Sequence, residues 1–230
     1  MSKRIALIGL DGSGKSANID KMKQDSDYKD YQFMWVRWKP MLLKPAYLLM
    51  EKRVSKSNKN LDATAGVDGK TGKKQAEMNA DYNAKSGLKG KLFKNPIIRG
   101  VWMGLALIDY FVQFHLKVLP NVLMGKNIIF DRFFLDLFVD QGINFGFSPE
   151  RIKAEIKKYA FLFPKMDAYI YIRVSPETCY QRKNDIPNMD YLNRRYSIYE
   201  CLASEDKWIT VDGELPFEEV NANIKKTILK

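Results

Sequence analysis

A chain of 230 residues, 46% of them hydrophobic, is long enough to bury a core and is expected to form a single globular domain over 1–230. Its two cysteines, Cys179 and Cys201, have neither the spacing of a metal site nor the density of a disulfide scaffold, and its first residues already read as a core strand, which leaves no room for a signal peptide. A reducing, cytoplasmic setting is therefore expected, and a net charge of +11 calls for an anionic partner: nucleotide, nucleic acid or an acidic membrane surface.

Lys3 to Ile8 is a short apolar run of the kind a buried parallel strand shows, and Ala17 to Lys23 reads as the first turns of a helix. Between them, Gly9-Leu-Asp-Gly-Ser-Gly-Lys-Ser16 fits the phosphate-binding pattern G-x-x-x-x-G-K-[ST]. Gly12 and Gly14 permit unusual torsions and close approach, so the N–H groups around Asp11, Ser13 and Lys15 can wrap a triphosphate at the positive end of the helix. Lys15 is expected to reach the β- and γ-phosphates, and Ser16 to hold Mg²⁺.

Tyr31 to Val36 is the second expected strand. Arg37 and Lys39 follow it, at the carboxyl end where open α/β sheets bind anions. Met41 to Val54 reads as a helix. Residues 55–95 are rich in Lys, Gly, Asn, Ala and Ser and are expected to form a flexible basic insertion. Within 51–99, twelve basic residues oppose five acidic ones, so most of the surplus charge sits in one segment. Ile97 to Leu119, bounded by Pro96 and Pro120, is apolar enough to approach a membrane span, yet Arg99, Asp109, Gln113, His115 and Lys117 suit a buried helix better. Peripheral contact with the inner face of a membrane, through this helix and the basic arm, is a further expectation. His115, the single histidine, is read as a packing or surface residue.

Lys126 to Phe130 is the third strand and runs into Asp131 and Arg132. A carboxylate leaving a buried strand beside the glycine loop is where a Mg²⁺ partner belongs. Leu135 to Gly142 continues as a helix with Asp136 and Asp140 on one face. Ser148-Pro-Glu and Ser175-Pro-Glu are helix starts on either side of a fourth strand, Asp167 to Val174. The second of these helices ends near Arg182 and Lys183. After Ile186-Pro-Asn188, another helix carries Arg194 and Arg195, so 180–195 reads as an arginine-bearing lid. Trp208 to Val211 is the fifth strand, Asp212-Gly213 a turn, and Phe217 to Leu229 the closing helix. Five strands alternating with helices predict an α/β fold, a parallel sheet covered on both faces.

With these pieces placed, the chain resembles the thymidylate kinase family of nucleoside monophosphate kinases, over Lys3 to about residue 50 and from Ile97 to the end. The likeness rests on the 9–16 loop, on the Pro120 to Gly125 spacing ahead of Ile128-Ile-Phe-Asp-Arg132, and on the Val211-Asp-Gly213 ending. It implies a P-loop kinase fold, ATP and Mg²⁺ as donor, transfer of the γ-phosphoryl group to an acceptor phosphate, and a homodimer formed through the apolar helix. By the same pattern Asp11 would hold an acceptor hydroxyl, Arg132 the acceptor phosphate, and Arg37 would replace the arginine after the second strand. Arg182, with Lys183 behind it, would donate to the transferred group, and Asp212 would border the nucleotide. The departures cluster at the acceptor: Ala106 and Tyr110 stand where the family has a stacking Phe and a base-contacting Arg, and Asp136 and Asp140 where it has Ser and Tyr. In these the chain is similar to divergent thymidylate-kinase-like proteins of bacterial surface-polysaccharide functions.

Two further readings compete with a kinase acting on a thymidylate-like monophosphate. One keeps the chemistry but takes a sugar or glycolipid acceptor, because Asp136 and Asp140 can accept several hydroxyl hydrogen bonds. The other is a nucleotide-binding regulator without transfer, for which the retained Lys15, Asp131 and lid arginines would be superfluous. A nucleic-acid partner is not expected, since only net charge, Trp35 and Trp38 speak for it.

Overall fold

The computed structural model describes residues 2–45, Leu48 and 70–229. Its centre is a five-stranded, all-parallel sheet flanked by helices, with strands in the order β2-β3-β1-β4-β5. The strands are β1 (Arg4–Ile8), β2 (Tyr31–Trp35), β3 (Asn127–Asp131), β4 (Ala168–Arg173) and β5 (Trp208–Asp212). β1 pairs with β3 on one side and β4 on the other, Leu7 against Asp131 and Ile170. A strand covered on both faces must be apolar throughout. Ile128, Ile129 and Phe130 of β3 accordingly have no exposed surface. β2 ends one residue earlier than expected, but the Val36 N–H still donates to the Asp131 carbonyl at 3.3 Å and carries the pairing on to Arg37.

The helices are α1 (Lys15–Gln24), α2 (Lys70–Leu92), α3 (Pro96–Leu123), α4 (Leu135–Asn144), α5 (Pro149–Tyr159), α6 (Pro176–Arg182), α7 (Met189–Ala203) and α8 (Phe217–Leu229). The expected caps are present: the Ser148 hydroxyl accepts from Arg151 N–H, and that of Ser175 from Thr178 N–H. Asn95 caps α3 in the same manner, accepting from Ile97 and Ile98.

Two expectations are corrected. Residues 70–92, expected within the irregular insertion, form one 23-residue helix. Its Lys, Ala, Gln, Glu and Met content favours helix strongly enough to absorb Gly72, Gly87 and Gly90. Tyr82 packs edge-on against Tyr191 of α7, and beyond the helix Phe93 is buried against Phe145 and Trp102. Residues 55–69, and most of the helix expected over 41–54, lie outside the described residues. The second correction concerns α3, which continues through Pro120 to Leu123. A proline in the last turn removes only one backbone bond, and the Met124 N–H still closes on the Pro120 carbonyl at 3.0 Å.

An aromatic block anchors the turn from β3 into α4. Phe134 stacks on Phe163 at 4.5 Å, while Phe114 meets Phe130, Phe133 and Phe163. Arg132, between Phe130 and Phe133, has φ +66°, a left-handed conformation that costs free energy for a side chain with a Cβ. Burial of the phenylalanines on both sides, at 2% exposure or less, holds it there.

Candidate active site

The loop leaving β1 is shaped by contacts that only glycine allows. A Cβ on Gly12, at φ +91°, would lie 2.5 Å from the Cys179 carbonyl of α6, and one on Gly9 would lie 2.8 Å from the Ile172 carbonyl of β4. Gly14, at φ +87°, is the N-cap of α1, and no side chain caps this helix. Its first-turn N–H groups therefore keep their capacity for an anion. In front of them lies a cleft of about 340 Å³ lined by Asp11, Gly12, Gly14, Lys15, Ser16, Arg132, Arg182 and Lys183.

Lys15 is buried and folds back on its own loop, donating to the carbonyls of Gly9 at 2.7 Å and Leu10 at 2.6 Å and to Ser13 Oγ at 3.3 Å. Burial, seconded by the charge of Arg132, pulls its pKa from 10.5 to about 8, although Asp11, Asp136 and Asp131 oppose the change. Asp131 ends β3 within electrostatic reach of this ammonium. Burial raises its pKa, and Lys15 and Arg132 hold it down in part.

Beside the cleft lies a continuous carboxylate–guanidinium network. Arg132 bridges Asp11 of the loop and Asp136 of α4, the latter at 3.2 Å. The Tyr191 hydroxyl donates to the second oxygen of Asp11 at 2.6 Å, and that of Tyr199 to Asp136 at 2.8 Å. Asp140, one turn along α4, takes Arg195 at 2.5 Å and Arg37 at 3.4 Å. The Arg195 guanidinium also lies 3.6 Å from the Tyr191 ring centre. Burial alone would raise Asp11, but Arg132, Lys15 and the Tyr191 hydrogen bond outweigh it and hold the carboxyl well below the usual range. Arg132 and Arg195 are desolvated, yet the facing aspartates raise both pKa values.

The structure thus gathers Asp11, Lys15, Arg37, Arg132, Asp136 and Asp140, and brings Ser16 and Arg182 to the same cleft. Arg182 points along the far wall: it donates to the Gly213 carbonyl at 3.1 Å and stands 3.9 Å from Glu214. There a second hollow of about 270 Å³ opens between Ser13, Asn18, Arg182, Gly213, Leu215 and Phe217. Two expected site residues lie apart. Tyr110 is buried in the aromatic block and its hydroxyl donates to the Val36 carbonyl at 2.8 Å. The Asp212 carboxylate accepts the Glu214 N–H at 2.9 Å, an Asx turn that ends β5.

Tyr191 and Tyr199 had no place in the sequence reading, and Arg194 and Arg195 were treated alike. Arg194 pairs with exposed Asp190, whereas Arg195 is sequestered. The available signal was spacing: Tyr191, Arg195 and Tyr199 recur every four residues on α7, facing Asp136 and Asp140 spaced alike on α4. Asp109, expected on a buried helix, has a structural task there. This buried carboxylate accepts from Met41 N–H at 2.9 Å, Leu42 N–H at 3.0 Å, Trp38 Nε1 at 3.3 Å and Gln113 Nε2 at 2.9 Å, and so ties the chain after β2 to α3. No protein-family model matches the chain, and a search of curated proteins finds no significant similarity.

Proposed function

We propose that the chain is an ATP- and Mg²⁺-dependent phosphotransferase of the thymidylate kinase type, with a P-loop kinase fold, that moves the γ-phosphoryl group to a nucleoside monophosphate acceptor. The observation that carries this reading is the convergence of the uncapped start of α1, Lys15, Ser16, Arg132 and Arg182 on one cleft beside Asp131. Phosphoryl transfer depends on positioning and on charge stabilisation, which these groups supply. Lys15 would exchange loop carbonyls for phosphate oxygens, and Arg182, with its side chain 40% exposed, is free to turn from Gly213 toward the transferred group. The hollow between Asn18, Gly213 and Phe217 fits the donor's base.

Ser16 and Asp131 are the residues that would hold Mg²⁺. Among the described residues no three His, Cys, Asp or Glu side chains form a metal cluster, and Mg²⁺ suits this short donor set because it takes one or two protein oxygens together with substrate phosphates. When bound it neutralises charge on the phosphates.

On the acceptor side, Arg132 and Arg37 would take the acceptor phosphate and Asp11 a hydroxyl. A second reading is favoured by one feature: Arg37, Arg132 and Arg195 are each already matched by an aspartate, which leaves the network without spare positive charge among the described residues. A sugar, phosphorylated on a hydroxyl, would fit such a site.

The deciding experiment follows ADP release from Mg-ATP with thymidylate, other monophosphates, monosaccharides and sugar phosphates as acceptors. Turnover with a monophosphate supports the first reading and turnover with sugars alone the second. Tight ATP binding with no turnover on any acceptor would indicate a nucleotide-binding regulator instead.

The Lys15 ammonium gives a pH test that needs no acceptor. Only the protonated amine attracts phosphate, and in the free protein it titrates near 8. ATP affinity should be flat below that value and fall by up to about tenfold per pH unit above it, with proton uptake on binding. Calorimetry in two buffers of different ionisation enthalpy measures both, and Lys15→Arg should abolish the fall.

A further inference from the structure

Helix α2 turns an unexpected set of side chains toward the rest of the molecule. Asn79, Tyr82, Ser86 and Lys89 follow one another at helical spacing and are half-buried, whereas Ala80, Asp81, Asn83, Gly87 and Gly90 are exposed. A helix that rests on a core presents an apolar stripe to it, but this one presents an amide, a phenol, a hydroxyl and an amine. The same face ends at Phe93, which is 2% exposed against Phe145 and Trp102 and fixes the foot of the helix.

That polar face meets the two helices that carry the carboxylate–guanidinium network. α2 lies against α4, the helix of Asp136 and Asp140. Tyr82 sets its ring edge-on to Tyr191 of α7, with ring centres 5.7 Å apart. Tyr191 is thus held between Tyr82 and the Arg195 guanidinium while its hydroxyl donates to Asp11. One turn before Tyr82, on the same face, the Asn79 side-chain oxygen is buried and has no hydrogen-bond partner. A buried acceptor left unmet is destabilising, and one that persists calls for a donor the chain itself does not supply. Gly87 and Gly90 stand between Tyr82 and Phe93, and a side chain at either would meet open space. Glycine weakens the helix in these turns, so the part that carries Asn79 and Tyr82 can yield to admit a ligand.

We propose that α2 is the outer wall of the acceptor site: the Asn79 amide oxygen accepts a hydrogen bond from a hydroxyl or N–H of the acceptor, and Tyr82 is a positioning residue that acts on Asp11 through Tyr191. The inference rests on the reading of the network as the place where the acceptor binds. It requires an acceptor with hydrogen-bond donors at two separate points, one for Asp11 and one for Asn79, as a nucleoside or a sugar has. A single neutral hydrogen bond made before and during transfer contributes to binding alone, so Asn79 governs the acceptor KM and not kcat.

The test combines amide hydrogen exchange with kinetics on the full chain. Exchange over 78–92 is followed with Mg-ADP alone and with Mg-ADP plus thymidylate, other monophosphates, monosaccharides or sugar phosphates. The acceptor that receives phosphate from Mg-ATP should slow this exchange, and Mg-ADP alone should not. Asn79→Ala should raise the KM of that acceptor about three- to tenfold with kcat and ATP affinity nearly unchanged. Its melting midpoint should hold or rise, because an unmet acceptor is removed. Tyr82→Ala should also raise KM, and Tyr82→Phe, which keeps the ring, should restore it. Asn83→Ala, at an exposed position of the same helix, should match the wild type. Transfer to an acceptor that leaves 78–92 unprotected, or a wild-type KM in both Asn79→Ala and Tyr82→Ala, overturns the wall and leaves the phosphotransferase reading in place. Protection of 78–92 by a compound that receives no phosphate supports the wall and counts against transfer. Neither protection nor transfer with any of these compounds overturns both, and Asn79 is then met by water alone.

Discussion

Under the proposed function, replacing Lys15 by Ala is expected to lower phosphotransfer by about a thousandfold while leaving the fold intact. The side chain supplies a buried positive charge at the cleft, where a donor aimed at developing phosphate charge is worth about two to three powers of ten. It does little for stability. Burial pulls its pKa from 10.5 to about 8, so at neutral pH holding the ammonium in the folded state costs free energy. That cost fades as pH rises from about 8 toward the unfolded value, and alanine removes it altogether. The thermal midpoint of the variant at pH 7 should hold or rise. Activity within about tenfold of wild type would reject the role given to Lys15.

Arg132→Leu should act in the opposite sense, on stability first. Arg132 neutralises Asp11 and Asp136 together, and its loss leaves two buried carboxylates with only the Tyr191 and Tyr199 hydroxyls as partners. Removing one member of a buried ion cluster costs about 3–5 kcal/mol, which for a chain of this size lowers the midpoint by on the order of 10 °C. Adding Asp11→Asn and Asp136→Asn should restore most of it. The two proteins should also respond differently to acid. In the wild type the Asp11 pKa lies below its unfolded value, so the stability it contributes is present above about pH 4 and is lost as pH falls. In the variant Asp11 keeps Lys15, Arg37 and the Tyr191 hydrogen bond but loses its nearest counter-charge, so its pKa rises from the wild-type value and less stability is lost as pH falls. Denaturant unfolding at about pH 7 and about pH 3 distinguishes these outcomes.

Much of this arrangement was legible in the sequence, for local reasons. The glycine spacing at 9–16, the Ser-Pro-Glu starts at 148 and 175, and Asp136 and Asp140 at a four-residue interval each require only near neighbours. Lys70 to Leu92 was not, because its helix-forming residues are nearly all polar and show no stripe to mark a buried face. The pairing of the network was hidden for another reason. Asp11, Arg37, Asp140 and Arg195 come from four separate segments, and which cation meets which carboxylate follows from how α7 packs on α4. Nor does spacing reveal that Lys15 rests on its own loop carbonyls, a choice made by local desolvation.

The position of β1 has a consequence for how the molecule is made. It leaves the ribosome before both its neighbours in the sheet, β3 beginning at Asn127 and β4 at Ala168. At about 5–20 residues per second, the apolar run Ile5 to Ile8 waits roughly 6–25 s for its first partner. The backbones that mould the glycine loop, at Ile172 and Cys179, emerge later still. A nascent chain that stops short of Cys179 cannot give the glycine loop this shape, so the loop and the strand that carries it are set by segments far along the sequence.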